Sequence, residues 1–222
     1  MVTPLDATLN TLTTTTVTAV QKLWAAYSKG AIDLVTFQTG LASVVTAANA
    51  RGGAVGTLAL AADLSRMMGE LVPPGPVATP AYLLDQGRVG KAVDTVLSGS
   101  GDPQVQLSRI ASTEPVEAAQ GAYQDGIARS PLLEGWERGL EADACQLCVW
   151  WARLDDVGEP RIWPKDHTMP THKGCRCMPV PTLARDIQKT VAMKRKEREE
   201  RAIANRDRRS AAVRRLMDEG KL

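Results

Sequence analysis

The four cysteines and both histidines of this 222-residue chain all lie between positions 145 and 177. Cys145 and Cys148 form a Cys-x-x-Cys pair, and a His-x-x-Cys-x-Cys group follows at His172, Cys175 and Cys177. Thiolate and imidazole groups at these spacings are typical ligands of structural zinc, because one turn of chain brings two of them onto the same ion. The pattern therefore predicts a zinc knuckle with these five residues as candidate ligands.

Structural zinc takes four ligands, so the candidates outnumber the coordination positions. The preferred set is Cys145, Cys148, Cys175 and one of His172 or Cys177. A Cys-x-Cys pair chelates one ion only with strain, whereas His-x-x-Cys spans a turn comfortably. His167 is a further candidate that this set leaves spare. Four reduced cysteines that only pack together, or disulfides formed in oxidising surroundings, are the alternatives that the pattern leaves open.

Three tryptophans flank the candidate ligands, at Trp150, Trp151 and Trp163. We expect their rings to cover the metal, because this stretch of chain contains little other apolar material. The acidic residues of the same stretch are expected to lie in solvent-facing turns without a catalytic role. They are Asp155, Asp156 and Glu159.

Apolar residues recur at helical spacing through most of the remaining chain. The expected helices cover about residues 4–29, 33–52, 55–71, 81–97, 103–129 and 183–219. Thr3 and Asp33 are expected N-caps, and Gly30 is an expected helix end. The Gly52-Gly53 pair is expected to separate the second helix from the third, because glycine is a poor helix former.

Prolines mark the expected breaks between these helices. The proline-rich segment 73–80 is expected to be an extended linker, since each proline removes an N–H donor and disfavours helix at the preceding residue. Asp102-Pro103 has the sequence of a helix cap and first turn. Glu114-Pro115 is expected to mark a second start within residues 103–129, which would form one or two helices.

From Leu133 the pattern changes to the alternation of a short, half-exposed strand, with Trp136, Arg138 and Leu140 on one side. The expected fold is mostly α: a helical N-terminal body, a small α+β zinc-knuckle lobe and a charged C-terminal helix. The corresponding regions are residues 1–72, the linker 73–80, a second helical region 81–132, the knuckle lobe 133–182 and the tail 183–222.

Charge is distributed unevenly along the chain. Residues 183–222 contain thirteen Lys and Arg against seven Asp and Glu, a net charge of +6, whereas residues 1–182 carry −4. Oppositely charged residues four positions apart, such as Arg195 and Glu199, can support a solvated helix. The basic residues expected to contact nucleic acid are Lys194, Arg195, Arg208, Arg209, Arg214 and Arg215. The chain has no signal-peptide pattern and no apolar run of about 20 residues, so we expect a soluble protein made in a cytosol.

Several sequence segments occur in an order that is known from one protein family. These are Arg109-Ile110-Ala111-Ser112-Thr113-Glu114, Trp136, Cys145-Gln146-Leu147-Cys148 and His172-Lys173-Gly174-Cys175-Arg176-Cys177-Met178-Pro179. Over residues 103–181 the chain resembles the C-terminal part of the phage Mu F-like minor head proteins, also called head morphogenesis or minor capsid proteins. It departs from the family pattern at Lys173 and Gly174, where a proline commonly follows the closing histidine, and at Val149-Trp150-Trp151 after the second cysteine.

The resemblance implies a structural virion component, and the sequence offers no catalytic constellation that would predict an enzyme. Such a protein is made in the cytoplasm of the bacterial host and lies inside the phage head near the portal. The implied partners are the portal protein and the inner capsid surface, while the net positive charge of the tail, which lies outside the resemblance, separately suggests contact with packaged double-stranded DNA. We expect neither a membrane nor a small-molecule substrate as a partner.

Three other functions are compatible with parts of the sequence. A zinc-stabilised HNH-like nuclease would use Asp166-His167 as the source of its general base. A capsid-maturation-associated protein is a second alternative, although both histidines fall inside the knuckle and leave no Ser-His-Asp triad. A zinc-containing DNA-binding regulator of the host is the third.

Overall fold

The computed structural model describes residues 4–141, 144–152 and 162–218. In these ranges the chain is mostly helical, with a small three-stranded antiparallel sheet and a long C-terminal helix, so the expected fold class is confirmed. The expected cap at Thr3 and the expected turn residues Asp155, Asp156 and Glu159 lie outside the described residues. No helix in the described part of the chain is both long enough and apolar enough to cross a membrane.

The first two helices are α1, Pro4–Ser28, and α2, Leu34–Met68. Gly30 follows α1 with a φ of 69°, a left-handed conformation that suits glycine and confirms the expected helix end. The Asp33 side chain accepts a hydrogen bond of 2.8 Å from the backbone N–H of Thr36, so the expected N-cap is confirmed.

The expectation that a helix ends at Gly52-Gly53 is wrong, because α2 runs through both residues without a break. A Cβ atom on Gly52 would lie 2.2 Å from the carbonyl oxygen of Pro115, and one on Gly56 would lie 2.1 Å from that of Ala119. Both carbonyls belong to another helix. These glycines therefore allow two backbones to approach closely, and this packing offsets their low helix propensity.

The next helices are α3, Gln86–Ser98, and α4, Pro103–Arg129. The expected helix over 81–97 is divided at Asp85, where a short 3-10 turn ends and the aspartate side chain caps α3 through the N–H of Gly87 at 2.8 Å. Asp102 caps α4 through the N–H of Gln104 at 2.9 Å, as expected. Of the two possibilities for residues 103–129, the structure has a single helix.

The expected second start at Glu114-Pro115 is wrong, because α4 continues through Pro115. A buried polar network holds this part of the helix. The Asn49 amide of α2 donates hydrogen bonds to the Leu83 carbonyl (2.7 Å) and to Glu114 Oε2 (3.1 Å). Arg88 of α3 binds both carboxylate oxygens of Glu114, with Nη1 at 2.8 Å from Oε1. Helices α2, α3 and α4 are thus fixed to one another at this glutamate.

Helices α1 to α4 form a helical body with an apolar core. Side chains from all four helices fill it: Val20, Phe37, Leu41, Val45, Val89, Val93, Val96, Leu107 and Ala111. Tyr27 of α1 stacks on Phe37 of α2 at the edge of this core, and the ring of Trp24 packs against Phe37 at a tilt. Burial of this apolar surface is the main stabilising contribution in this part of the molecule.

The sheet consists of β1 (Leu133–Gly139), β2 (Trp163–Pro164) and β3 (Met178–Leu183), in the order β2-β1-β3. Trp136 and Arg138 are buried as the alternation predicts, whereas Leu140 lies beyond β1 and is exposed. A second apolar cluster joins the sheet to α2 and α4. It contains Leu60, Leu64, Tyr123, Ile127, Leu133, Trp136, Met169 and Leu183.

Strand β3 is an edge strand that contains two prolines. Pro179 lies opposite Arg138 of β1, and Pro181 lies opposite Trp136. Since a proline cannot donate to the ladder, these two positions point their backbone groups away from β1 and toward the open edge of the sheet. Hydrogen bonding between the two strands therefore depends on the residues that alternate with the prolines.

Two helices lie in the C-terminal part of the chain. The short α5, Gln146–Ala152, is described below, and the long α6, Arg185–Asp218, forms most of the tail. Leu183, expected as the first apolar residue of this helix, belongs to β3 instead. Near its start α6 contacts the end of α2: Lys194 Nζ lies 3.3 Å from Glu70, and Arg198 donates to the Gly69 carbonyl at 3.0 Å. From residue 195 to residue 217 every side chain that the structure describes is exposed.

Candidate metal centre

The first pair of candidate ligands is placed by α5, which begins directly after Cys145. The backbone N–H of Val149 donates to the Cys145 carbonyl at 3.1 Å, so this cysteine lies at the helix start and Cys148 lies in the first turn. The backbone N–H of Cys148 also hydrogen-bonds the Cys145 sulfur, which lowers the pKa of that thiol. The helix start thus favours the thiolate form that a metal requires.

The second group is placed by a tight turn before β3. The N–H of Cys175 donates to the His172 carbonyl at 2.9 Å, and Gly174 has a φ of 81° at the third position of this turn. A residue with a side chain would be strained in that conformation, which explains the glycine. Cys177 then immediately precedes β3.

The two groups converge. His172 Nε2 lies 3.0 Å from Cys145 Sγ and 3.2 Å from Cys148 Sγ, and Cys148 Sγ lies 3.5 Å from Cys175 Sγ. The ligand atoms form two triads, each within 4.8 Å: Cys145, Cys148 and His172, and Cys148, Cys175 and Cys177. Ligands around one tetrahedral zinc lie roughly 3.5–3.8 Å apart, given bonds of about 2.1 Å to nitrogen and 2.3 Å to sulfur. The two triads, which share Cys148, could therefore hold a metal ion.

All five candidate ligands from the sequence are thus brought together, whereas His167 is placed elsewhere. Its ring stacks on Trp163 with 4.6 Å between ring centroids, and it belongs to neither triad. The structure also places both members of the Cys175-Cys177 pair in one triad.

Burial differs among the four sulfurs. Cys148, Cys175 and Cys177 are buried, with Cys148 only 1% exposed, whereas Cys145 is exposed. Burial is the main cause that raises the pKa of Cys148 and of Cys177 above the ordinary range of a thiol. A bound cation would supply the positive charge that stabilises the corresponding thiolates.

The His172 imidazole is oriented for a role as a nitrogen ligand. Its Nδ1 atom lies 3.2 Å from the carbonyl oxygen of Lys173, so a proton on Nδ1 can be donated to that oxygen. This tautomer leaves the lone pair of Nε2 facing Cys145 and Cys148. A backbone carbonyl that orients the second ring nitrogen is a common partner of a metal-bound histidine.

A glutamine from the helical body holds the second group of ligands. Gln120 of α4 is buried, and its Nε2 donates to the Cys175 carbonyl at 2.8 Å and to the Cys177 carbonyl at 3.0 Å. Arg176, between these two cysteines, hydrogen-bonds Asn10 of α1. The cysteine-bearing turn is therefore attached to the body by side chains that do not themselves offer ligand atoms to the metal.

An arginine from the sheet also contacts the cluster. Arg138 of β1 is buried, and its Nη1 lies 3.7 Å from Cys148 Sγ. Its guanidinium also donates to the Pro170 carbonyl and lies over the ring of Trp151, at 5.1 Å from the centroid. The shared sulfur of the two triads thus has a cationic hydrogen-bond donor beside it.

The expected tryptophan cover is only partly correct. Trp151 lies beside the cluster, with its ring centroid 6.2 Å from that of His172. Trp150 is 58% exposed, and Trp163 packs with Trp136 in the cluster that joins the sheet to the body. The expectation is therefore wrong for Trp150 and Trp163, because α5 turns the first toward solvent and β2 places the second on the sheet.

Sequence reasoning missed Gln120 and the contact of Arg138 with sulfur. Gln120 lies in an ordinary helical pattern 55 residues before Cys175, with no local signal of its role. The contact of Arg138 was weakly indicated, because an arginine on the inward side of a predicted strand needs a buried polar partner.

The residues expected to contact nucleic acid all lie on α6. Lys194 pairs with Glu70, and Arg195 pairs with Glu199 at 3.1 Å, as its spacing predicted. Arg208 and Arg209 are exposed on the second half of the helix. Between positions 201 and 215 this half contains six arginines and a single acidic residue. The second half of α6 is therefore strongly basic and exposed to solvent.

Comparison of the chain with protein-family models, with curated proteins and with solved structures finds no match.

Proposed function

We propose that this chain is a structural minor protein of a tailed-phage head, located inside the head near the portal, whose C-terminal lobe is stabilised by one structural zinc ion. The observation that carries the proposal is the convergence of the Cys-x-x-Cys and His-x-x-Cys-x-Cys groups on Cys148. The same two motifs carry the sequence resemblance to the minor head proteins.

The donor set supports zinc as the ion. Thiolate and imidazole ligands favour zinc and other soft or borderline metals over magnesium and calcium, which prefer oxygen. All five candidate ligand atoms are sulfur or nitrogen atoms of the protein. They are enough to fill four coordination positions, which is typical of a closed, structural site. A catalytic zinc site instead keeps one position for water or substrate.

The small size of the apolar cluster around the ligands supports a structural role for the metal. Among the described residues, the buried apolar cluster around the ligands contains Cys148, Cys175 and Cys177, with Ala144 packed against them. So small a cluster contributes little hydrophobic stabilisation. Zinc binding would supply folding free energy that the local side chains do not.

In this proposal the helical body docks on the portal or the inner capsid surface, and the basic part of α6 lies against packaged DNA. The support for DNA contact is the exposed position of Arg208 and Arg209 on a helix that extends past the body. Such contacts neutralise phosphates without reading sequence.

Metal content is the first test. We expect the purified, reduced protein to contain one equivalent of zinc by elemental analysis. We also expect a chelator to lower the thermal stability of the chain, with partial unfolding that zinc reverses. A metal-free protein whose melting temperature does not change with chelator would contradict the structural role of zinc.

Location tests the virion assignment. We expect the protein to co-purify with the portal protein of the same phage after co-expression and to be found in purified heads in a few copies. Failure of the portal and the chain to associate, together with absence from purified particles, would contradict the assignment. Cleavage of duplex DNA with Mg²⁺ that is lost in His167→Ala would favour the nuclease alternative instead.

DNA contact has its own test. Neutralising Arg208 and Arg209 together to Gln should weaken binding to random-sequence duplex DNA. The slope of log affinity against log salt should fall by about 1.8, because two phosphate contacts are lost. The matched control is Lys22→Gln with Lys29→Gln, which removes the same charge from the region of α1. Equal effects of the two double variants would contradict a specific role of α6.

A further inference from the structure

Arg138 is a buried cation whose partners among the described residues include no carboxylate. The residue is 6% exposed, and its guanidinium contacts the Cys148 sulfur, the Pro170 carbonyl and the Trp151 ring. The ion pairs found in the described ranges do not involve it. An arginine buried in this way is costly unless a negative charge lies beside it.

Among the described partners of the guanidinium, the group that can become anionic is the shared cysteine of the two triads. When a divalent ion binds three thiolates and one imidazole, the centre carries a net charge of about −1. One guanidinium offsets that charge. The N–H donor on Cys148 Sγ also orients the sulfur that both triads need.

We propose that Arg138 is the positioning residue of the metal centre, which holds the Cys148 thiolate and compensates an anionic centre with three thiolate ligands. This inference rests on the proposed zinc site. It assigns to β1 a role in metal affinity that the ligands alone do not describe. It also explains why a strand of the sheet contributes a charged side chain to the interior.

The test compares Arg138→Gln and Arg138→Lys with the wild-type chain and with Glu137→Gln. The control changes a neighbouring residue of β1 whose side chain points to the opposite face of the sheet. Zinc affinity is measured by competition with a chromophoric chelator. We expect Arg138→Gln to weaken zinc binding about 10- to 100-fold, Arg138→Lys to recover most of this loss, and Glu137→Gln to have wild-type affinity.

Two further measurements separate this role from simple packing. Loss of the N–H···S hydrogen bond should shift the sulfur-to-metal charge-transfer band of the cobalt-substituted Arg138→Gln protein to longer wavelength. In the metal-free protein, no metal-bound thiolates are present to offset the positive charge of the Arg138 guanidinium. Replacing it with Gln should therefore leave the melting temperature of the metal-free form unchanged or raised, while lowering that of the zinc form.

The outcomes are distinguishable. A wild-type chain that takes up no zinc overturns the proposed metal centre itself. A wild-type chain that binds zinc, with an Arg138→Gln variant of equal affinity and an unshifted cobalt spectrum, overturns the role of Arg138 alone. Equal losses of melting temperature in the zinc and metal-free forms of the variant would also overturn it, because they indicate packing only.

Discussion

The helical body and the metal lobe are stabilised by different means. In the body, apolar side chains from α1 to α4 fill one core, and a buried glutamate fixes three of the helices. In the lobe, the buried apolar cluster that the described residues form at the site consists of three of the candidate ligands, and its buried polar neighbours are Gln120 and Arg138. The body therefore has a source of stability that requires no metal, whereas in the proposed function the lobe gains part of its stability from the bound ion.

The two regions nevertheless share one helix. Helix α4 carries Glu114 in the body network and, two turns later, Gln120 at the carbonyls of Cys175 and Cys177. The sheet also packs on α2 and α4 through the cluster around Trp136 and Tyr123. The lobe is thus attached to the surface of the body, and in the proposed function a bound metal would order the ligand-bearing segments on that surface.

The largest effect that would sharpen this comparison is expected for Cys148→Ser, which removes the residue shared by both triads. We expect loss of stoichiometric zinc and unfolding of the ligand-bearing segments, with the body helices retained. Elemental analysis and hydrogen exchange of the two regions measure this. Val149→Ser, at an exposed neighbour on α5, is the control and should keep its zinc. Global unfolding in Cys148→Ser would break the comparison.

The next largest effect is expected at the crossing of α2 and α4. Gly56→Ala places a Cβ about 2.1 Å from the Ala119 carbonyl oxygen, so the helices must separate. We expect a loss of about 3 kcal/mol in the free energy of unfolding. Gly90→Ala on α3 meets no atom within 4 Å and should be neutral or stabilising by up to about 1 kcal/mol. Denaturant unfolding of both variants checks this, and equal stabilities would contradict it.

A smaller loss is expected for Glu114→Gln, which replaces the buried carboxylate held by Arg88 and Asn49. We expect the free energy of unfolding to fall by about 2 kcal/mol, which is the order of a charge-assisted hydrogen bond. The loss is no larger because Arg88 is partly solvated and can rehydrate. Glu117→Gln, one turn later on the same helix and less buried, should cost under half as much. Zinc affinity should be unaffected in both variants, and a large change in it would show that the body controls the lobe.

The smallest effect is expected for Arg198→Ala, which removes the contact of α6 with the Gly69 carbonyl. The contact is exposed, so the free energy of unfolding should fall by less than about 1 kcal/mol. Zinc content should remain at the wild-type value. A loss of metal or of several kcal/mol would show that α6 is part of one of the two regions rather than an appendage.

Features that depend on neighbouring residues were predicted more accurately than contacts between residues that are distant in the chain. Aspartates before apolar runs identified the caps at Asp33 and Asp102, and the alternation from Leu133 identified β1. Each of these features is decided by a few neighbouring residues. The candidate ligands were identified for the same reason, because their spacing within each motif is local.

The errors came from residues whose partners are far away in the chain. Gly52 and Pro115 are helix breakers in isolation, yet each lies inside a helix because the two pack against each other. Likewise, nothing near Gln120 indicates that its amide meets two carbonyls from another element. A single sequence does not contain the pairing of α2 with α4 in any local pattern, so these features required the structure.

The two prolines of β3 have a consequence for crowded conditions. The open side of this strand presents carbonyl oxygens but lacks amide hydrogens at positions 179 and 181. A foreign strand that approached it would meet acceptors without the matching donors, so the ladder could not be continued. Association of two copies through this edge of the sheet is thereby disfavoured even at high local concentration.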